Sequence, residues 1–349
     1  MSLIRFNCDY TEGAHPRIME RLMKTNPEQT VGYGEDEYCE EARALIMKAC
    51  GREDIHVHFL VGGTQANLTV LSAALRPHQG AVAAATGHIN VHESGAIEAT
   101  GHKVIAVESP ESGKLTAEAV ERVVSAHWND ETHEHMVQPK LVYISDSTEN
   151  GAVYTKAELS KLSRVCRERG LYLYMDGARL GYALMSQKND LTLRDLCDYC
   201  DAFYIGGTKV GALFGEAVVI MNPEINEDFR YLIKQKGGML AKGRLLGLQF
   251  GALFEDGLYF EISKNAVDQA NRIARALKEK GVEFLAEPES NQIFPIFENS
   301  VIERINEKYA TAFWQKIDGD RSAVRICTSW ATTDENTRGL INHILSLLN

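Results

Sequence analysis

Short apolar runs separated by helical stretches dominate the first two thirds of the chain. Runs rich in Val, Ile, Leu, Ala and Tyr recur between residues 55 and 221, and most of the segments between them have helical patterns. Uninterrupted apolar runs of this length are typical of strands buried on both faces of a parallel sheet. The predicted strands cover residues 55–61, 82–85, 103–107, 141–145, 171–175, 202–205 and 217–221.

This alternation predicts an α/β fold, in which a mainly parallel sheet carries helices on both faces. After Met221 a mostly helical region is followed by short strands mixed with helices, which predicts a smaller C-terminal α+β domain. We place the large domain at residues 31–238 and the small domain at residues 239–349. Residues 1–30 have too few apolar positions for a core, so we expect them to pack on the main domain or a neighbouring subunit.

A single lysine stands in a loop of small and apolar residues directly after the predicted strand at 202–205. The loop reads Gly-Gly-Thr-Lys-Val-Gly-Ala over residues 206–212 and contains no acid. Burial disfavours the charged form of an amine, so Lys209 is a candidate nucleophile. The alternative is a tight turn that carries a solvated lysine. A Walker phosphate loop is excluded, since it needs Gly directly before the lysine and Ser or Thr directly after it.

An aspartate ends the neighbouring predicted strand. Asp176 follows the apolar run at residues 171–175, and ligands of open α/β sheets bind at the carboxyl ends of the strands. Asp176 and Lys209 should therefore face one crevice. Pyridoxal phosphate needs such a pair, because an amine binds its aldehyde and a carboxylate keeps its pyridine nitrogen protonated. The alternative for Asp176 is a helix N-cap for the segment from Ala178 onward.

A glycine-rich turn opens the helix predicted after the first strand of the large domain. Gly62, Gly63 and Thr64 precede that helix, and free backbone N–H groups at a helix start form a ready phosphate site. An ordinary turn with Thr64 as the cap is the alternative.

Composition limits the class of protein. The chain has 349 residues, 44% hydrophobic and 24% charged, with a formal charge of −11, which argues against nucleic acid or an anionic membrane as partner. It has no apolar run that approaches a membrane span and no signal-peptide core at its start, so we expect a cytoplasmic protein. The odd number of seven cysteines suits a reducing compartment.

No metal site is expected. Cys197 and Cys200 have the spacing of a zinc or redox pair, but zinc would need a second pair, which the sequence lacks. His127, His133 and His135 lie in a strongly charged run that is more typical of a solvated loop.

Taken together, these motifs occur in the order and spacing of fold type I pyridoxal-phosphate enzymes. More narrowly, the chain resembles the threonine aldolases of the β-eliminating lyase group nearly from end to end. Besides the three motifs above, the resemblance includes His88 followed by Glu93-Ser94-Gly95 and the segments at residues 33–36, 63–67, 290–294 and 324–328.

The resemblance implies a set of roles around pyridoxal 5'-phosphate. Lys209 would hold the cofactor covalently, Asp176 would contact the pyridine nitrogen, and His88 would stack on the ring. Gly63 and Thr64 would bind the phosphate.

The resemblance also implies the substrate contacts. Arg179 and Arg325 would hold a carboxylate, a task suited to the planar guanidinium group, and Tyr33 is a further candidate at the substrate site. His135 is similar to a second active-site histidine of the family, with the solvated loop as the alternative.

The implied assembly is a homo-oligomer, a dimer of dimers with shared active sites. Lys242 and Arg244 are the candidates for contacts to a neighbouring subunit's phosphate.

The activity implied is retro-aldol cleavage of a small amino acid, L-threonine or L-allo-threonine, to glycine and an aldehyde. His88, or a water held by His88 or His135, would take the proton of the β-hydroxyl group. A β-eliminating lyase or an aminotransferase on the same fold is the alternative reaction, and a catalytically silent ligand-binding homologue is the non-enzymatic alternative.

The chain departs from the family pattern at several points. Cys8-Asp9-Tyr10 stands where Ser-Asp-Thr is common, and Val210 stands where glycine is usual. The usual Glu-Asn-Thr-His-Asn reads Asp-Ser-Thr-Glu-Asn at residues 146–150, and Thr328-Ser329 replaces a common Thr-His. These departures leave the cofactor residues in place and bear on the choice of substrate.

Overall fold

The predicted alternation of strands and helices is present in the computed structural model, which describes residues 3–348. The strands are β1 Ile4–Arg5, β2 His56–Leu60, β3 Gln79–Ala84, β4 Lys103–Val107, β5 Gln138–Ser145, β6 Tyr172–Asp176, β7 Ala202–Gly206, β8 Glu216–Ile220, β9 Gln292–Ile293, β10 Ile296–Glu298, β11 Tyr309–Ala310, β12 Ala312–Lys316 and β13 Arg321–Cys327. Each strand predicted between residues 55 and 221 overlaps one of these.

The helices fill most of the intervals between strands. They are α1 Pro16–Thr25, α2 Glu37–Cys50, α3 Gly63–Ala74, α4 His88–Val91, α5 Ala117–Trp128, α6 Lys156–Glu168, α7 Leu180–Leu184, α8 Leu193–Tyr199, α9 Pro223–Asn226, α10 Phe229–Gln235, α11 Arg244–Phe254, α12 Leu258–Glu279, α13 Asn299–Asn306 and α14 Asp334–Leu347. Short 3-10 turns lie at Glu98–Thr100, His133–His135 and Glu255–Gly257. Among the helices of residues 3–348, none combines the length and apolar character that crossing a bilayer requires.

The central sheet is mainly parallel, as predicted. Within the described residues it has seven strands in the order β2-β8-β7-β6-β5-β3-β4. All neighbours from β7 to β4 run parallel, whereas β8 is antiparallel to both β7 and β2. The reason is the short connection between β7 and β8, residues 207–215, because a parallel crossover needs about a dozen residues or more. The loop that carries Lys209 is therefore a hairpin loop at the carboxyl end of β7.

Helices cover both faces of this sheet. Successive side chains of a strand point to opposite faces, so Leu173 and Met175 of β6 pack in one apolar cluster and Tyr174 packs in another. The first cluster includes side chains from α1, α2, α5, α6, α8 and α11, and the second includes side chains from α3, α9 and α10. The prediction that helices pack on both faces of the sheet, made from the uninterrupted apolar strands, is confirmed.

A third apolar cluster forms the core of a smaller C-terminal unit. It joins Phe6, the second half of α12 from Ala270 onward, and side chains of the small sheet β10-β13-β12 with α13 and α14. The first half of α12 packs in the large core, as do Leu246, Phe250 and Leu253 of α11. The two cores meet within α12, which continues through both of them without a break in its helical pattern. The boundary at residue 239 stays a prediction.

The N-terminal segment contributes to both units. Phe6 is part of the third cluster, and β1 pairs with β11 of the small domain. Ile18 of α1, in contrast, is fully buried in the large core. Within this chain residues 3–30 thus contact both cores, and Asp9 and Tyr10 lie between Phe6 and α1 in the sequence.

The close crossing of α11 and α2 gives a stability prediction. A methyl group at Gly247 would lie 2.6 Å from the backbone nitrogen of Cys39 and 2.7 Å from its Cα. A Gly→Ala exchange inside a helix ordinarily stabilises by up to about 1 kcal/mol, but overpacking typically costs about 1–3 kcal/mol. We expect Gly247→Ala to lower the thermal unfolding midpoint of the protein.

Gly251→Ala, in the same helix, is the matched control. Its nearest neighbours are guanidinium atoms of Arg21, at 3.0 Å and beyond, and a flexible side chain can move aside. Its midpoint should stay close to that of the wild type. A midpoint of Gly247→Ala equal to or above the wild-type value would contradict this description of the helix crossing.

Candidate active site

Loops at the carboxyl edge of the central sheet surround a cavity of about 290 Å³. The cavity lies where β5, β6 and β7 end and where α3 begins, because parallel strands place their carboxyl ends at the same edge. Most of the predicted cofactor and substrate residues line it, namely Gly63, Thr64, His88, Asp176, Arg179 and Lys209.

The loop that carries Lys209 is fastened at its base by Glu216. The carboxylate of Glu216 accepts hydrogen bonds from the backbone nitrogen of Gly207, at 3.1 Å, and from Thr208 Oγ1, at 2.9 Å. The hydroxyl of Tyr182 donates to the carbonyl oxygen of Lys209 at 2.5 Å. The backbone around the lysine is therefore fixed, while its side chain is left to face the cavity.

The amine of Lys209 forms no salt bridge with any acid of the described residues. It lies 6.0 Å from the ring centroid of Tyr10. Burial lowers the pKa of Lys209, and the positive charge of Arg179 lowers it further, although nearby acids partly oppose this. An amine with a lowered pKa beside a cavity can act as a nucleophile, which favours that interpretation of Lys209 over the solvated turn.

Asp176, at the end of β6, is surrounded by hydrogen-bond donors. Oδ1 accepts from the hydroxyl of Tyr204 at 2.5 Å and from the backbone nitrogen of Ala178 at 3.0 Å. Oδ2 accepts from Tyr143 at 2.7 Å and from Asn67 Nδ2 at 3.0 Å. The N-cap of α7 is Arg179, so the simple capping alternative for Asp176 does not apply.

These donors keep the buried Asp176 ionised. Burial by itself would raise its pKa, but the neighbouring His88 and the hydrogen bonds from Tyr204, Tyr143 and Ala178 outweigh burial, and the pKa is lowered. A carboxylate that stays charged in a buried site can hold a proton on a partner nitrogen.

His88 begins the short helix α4 and is oriented by a buried acid. Its Nδ1 lies 2.7 Å from Glu93 Oε1, which also accepts from Asn67 Nδ2 at 2.7 Å. Burial lowers the pKa of His88, but the hydrogen bond with Glu93 and the charge of Asp176 raise it, and the net shift is upward. Because Asn67 also donates to Asp176, the histidine and the aspartate belong to one hydrogen-bonded network.

The first turn of α3 meets the cavity with its backbone. Gly62 is the N-cap and makes no side-chain capping bond, so Thr64 is not the cap that the alternative required. The first N–H groups of a helix have no partner within the helix and carry the positive end of its dipole. A methyl group at Gly63 would lie 2.9 Å from the hydroxyl of Tyr204. The first turn of α3 therefore needs a glycine here to pass so close to Tyr204.

Arg179 is held by a buried acid that the sequence analysis did not assign. Its Nε and Nη2 donate to Asp9 Oδ2 and Oδ1 at 2.7 and 2.9 Å, and Asn291 Nδ2 donates to the same carboxylate at 2.9 Å. Arg325 lies outside the cavity lining, where its Nη2 donates to the carbonyl of Asn7 at 2.9 Å. Only one of the two predicted carboxylate-binding arginines thus faces the cavity directly.

His135 does not line the cavity of its own chain, and its place in an active site stays a prediction. It is exposed in the turn His133–His135, just before the amino end of β5. The cavity instead contacts Ser145, at the carboxyl end of that strand, roughly 23 Å of strand away. The rule that ligands bind at the carboxyl ends of parallel strands agrees with this placement, since His135 precedes the strand.

Tyr33, Lys242 and Arg244 lie together on a different surface. Tyr33 is exposed, and its backbone nitrogen donates to the carbonyl of Ala241, next to Lys242, at 3.2 Å. Arg230 donates to the carbonyl of Tyr33 at 3.3 Å. None of the three predicted residues is among those that line the cavity in the described chain.

Several lining residues were missed by the sequence analysis. Tyr10, Ser145, Glu149 and Glu216 all contact the cavity, and the donors Asn67, Tyr143 and Tyr204 surround Asp176. The sequence offered little indication of them, because they come from separate elements. Only the strand order of the sheet, which the sequence does not specify, brings them together.

The Asp9–Arg179 pair predicts a dependence of stability on pH. Burial would raise the pKa of Asp9, but Arg179, Lys209 and Asn291 lower it from 3.8 to about 2. Because folding lowers the pKa of Asp9, its ionised carboxylate stabilises the folded state at pH values above its ordinary pKa. This contribution to the free energy of unfolding, roughly 2 kcal/mol, is lost as the pH falls from about 4 towards 2.

We therefore expect the wild type and Asp9→Asn to differ less in their free energy of unfolding as the pH falls from about 4 towards 2. Urea unfolding at successive pH values measures this difference. Asp320→Asn, which removes an exposed carboxylate with no buried partner, is the control. A difference for Asp9→Asn that stays constant down to pH 3 would contradict the assignment.

Comparison with known proteins identifies the family. Residues 6–300 match the family model described as Beta-eliminating lyase. A low specificity L-threonine aldolase from Pseudomonas sp. is 30% identical over 350 residues, which cover 99% of this chain and 98% of that protein. A solved structure of a threonine aldolase from Leishmania major is 43% identical, with a TM-score of 0.96 and coverage of 99% of this chain and 100% of that one.

A more distant structure shares the fold. An aspartate aminotransferase mutant from Thermus thermophilus is 15% identical, with a TM-score of 0.72 over 99% of this chain and 91% of that one. β-Eliminating lyases and aminotransferases of this fold are pyridoxal-phosphate enzymes.

The residues around the cavity fit pyridoxal 5'-phosphate at three points. The start of α3 presents unpaired N–H groups to a phosphate, Asp176 is a buried carboxylate held in its charged form, and Lys209 offers an amine with a lowered pKa. The sequence match and the geometry agree, and the expectation from the resemblance is confirmed: the chain belongs to the β-eliminating lyase family, in its threonine aldolase group.

Proposed function

We propose that this chain is an aldehyde-lyase that cleaves L-threonine or L-allo-threonine, or a related β-hydroxy-α-amino acid, to glycine and an aldehyde. The observation that carries the proposal is the convergence of the Lys209 amine and the ionised Asp176 on one cavity. The full-length similarity to proteins named as threonine aldolases supports this choice among the reactions that the fold can host.

Pyridoxal 5'-phosphate supplies a positively charged ring that accepts the electron pair released when a bond at Cα breaks. In our proposal Lys209 holds the cofactor through its amine. Asp176 keeps the pyridine nitrogen protonated, and His88 stacks on the ring. Gly63 and Thr64 hold the phosphate at the start of α3.

The substrate carboxylate would be held by guanidinium groups. Asp9 accepts hydrogen bonds from Nε and Nη2 of Arg179, which leaves Nη1 to donate to a ligand. The same two bonds fix the orientation of the guanidinium plane. Arg325 is the second proposed contact. Fixing the carboxylate determines which bond at Cα is oriented to break, and this is the contribution of the protein to reaction choice.

We further propose a dimer of dimers with shared active sites. Lys242, Arg244 and Tyr33 would then serve the cavity of a neighbouring subunit, since none of them lines the cavity of its own chain and Lys242 and Tyr33 are exposed. Free thiols at all seven cysteines support a cytoplasmic location.

The direct test is incubation of the purified, cofactor-loaded protein with the four threonine stereoisomers and with phenylserine, followed by an aldehyde assay. We expect aldehyde and glycine in equal amounts from at least one L-isomer. Formation of a keto acid without glycine would instead indicate an aminotransferase or an eliminating lyase, and the absence of any product would exclude the proposed activity.

The role of Lys209 gives a second prediction. After borohydride reduction, peptide mapping should find the cofactor attached to Lys209, and Lys209→Ala should lose aldehyde formation on the order of 10²-fold or more, because a group in direct contact with the reacting atoms is gone. Lys264→Ala, which changes an exposed lysine on α12, is the control. Attachment to another lysine would refute the assignment.

A further inference from the structure

An acid not assigned above, Glu149, lines the cavity beside His88. Its Oε1 accepts hydrogen bonds from the backbone nitrogen of His88 at 3.0 Å and from Ser145 Oγ at 2.8 Å. These two contacts join the carboxylate to the end of β5 and to the start of α4. Glu149 is therefore held in place on the side of the cavity where His88 lies.

The second oxygen of Glu149 is available to a ligand. Within residues 3–348, Oε2 accepts no hydrogen bond from a neighbouring residue. The other acids that line the cavity have both oxygens occupied: Asp176 by the donors described above, and Glu216 by Thr208 and Gly207. Among the lining carboxylates, Glu149 thus has an oxygen that accepts no hydrogen bond from another described residue.

His88 already has an assigned partner and an assigned role. Its Nδ1 is bound to the buried Glu93, and although burial lowers its pKa, the hydrogen bond with Glu93 and the charge of Asp176 shift the pKa upward overall. In the proposed function its ring stacks on the cofactor, which leaves the proton of the substrate to another group on the same side of the cavity. His135 does not line the cavity of its own chain, because it lies before the amino end of β5.

We propose that Oε2 of Glu149 is the acceptor of the proton of the substrate's β-hydroxyl group, which makes Glu149 a catalytic residue. The inference rests on the proposed aldolase function. The hydroxyl O–H bond breaks and its proton passes to Oε2, while the oxygen forms the C=O bond of the aldehyde. The Cα–Cβ bond breaks and its electron pair stays with Cα. A proton delivered to Cα then gives glycine, so no net proton is consumed.

The surroundings of Glu149 suit this role. Burial raises the pKa of Glu149, and the charge of Asp176 adds to that effect, whereas Ser145, the backbone N–H of Glu149 and His88 oppose it. Tyr143 and Tyr154 are the other ionisable groups near it. A carboxylate with a raised pKa is a stronger base than an ordinary glutamate, and it is still charged above that pKa.

The test is Glu149→Gln, which keeps the size of the side chain and an oxygen acceptor for Ser145 and the backbone of His88. We expect kcat for aldehyde formation to fall on the order of 10²-fold or more, with KM little changed. The fall in wild-type kcat at low pH, caused by protonation of Glu149, should be absent in the variant. Glu131→Gln, which changes an exposed residue in the loop before β5, is the matched control.

A second readout does not depend on turnover. The infrared difference spectrum of the loaded protein between low and neutral pH should contain a carboxylic acid band that is missing in Glu149→Gln. Glu149→Asp keeps an ionisable group and should recover part of the lost kcat together with the pH dependence. If Glu149→Gln does not fold, the Asp variant decides, because its shorter side chain should lower kcat, and a kcat equal to that of the wild type would overturn the inference.

The two proposals fail in different ways. A wild-type protein that forms no aldehyde from any β-hydroxy amino acid refutes the proposed function. An active wild type with Glu149→Gln equally active, and with the same pH profile, overturns only the role of Glu149.

Discussion

Burial of ionisable groups at the carboxyl edge of one sheet is the constraint on which the site depends. A lysine amine and an aspartate carboxylate are both costly to bury, and each is stable here only because of its surroundings. The amine of Lys209 is accommodated by a lowered pKa, and the carboxylate of Asp176 by hydrogen bonds from four directions. The cavity therefore contains one group shifted towards its neutral form and one held in its charged form, which is the combination that a pyridoxal cofactor uses.

The fold brings these groups together through strand order. Because β5, β6 and β7 are adjacent and parallel, Ser145 and Asp176 are direct neighbours, and the loop after β7 begins beside them. The antiparallel β8 follows from the short Lys209 loop, and it places Glu216 opposite Gly206, where it anchors that loop. Sheet topology thus sets both the position of the lysine and the rigidity of its backbone.

The sequence predicted the features that depend on local patterns and missed those that depend on contacts between segments distant in the sequence. Lys209 and Asp176 were found because each directly follows an apolar strand, which is a local signal. The donors to Asp176 were missed, because Asn67, Tyr143 and Tyr204 come from elements distant in sequence, and only the strand order brings them to one carboxylate. The change of core within α12 was missed for a related reason, since a continuous helix gives no local sign that its two halves pack in different cores.

The most direct test of the account is a high-resolution structure of the protein loaded with pyridoxal 5'-phosphate. The account predicts continuous density from Lys209 Nζ to the cofactor, with the Asp176 carboxylate in hydrogen-bond contact with the pyridine nitrogen. A cofactor joined to another residue, or a pyridine nitrogen out of reach of Asp176, would contradict it.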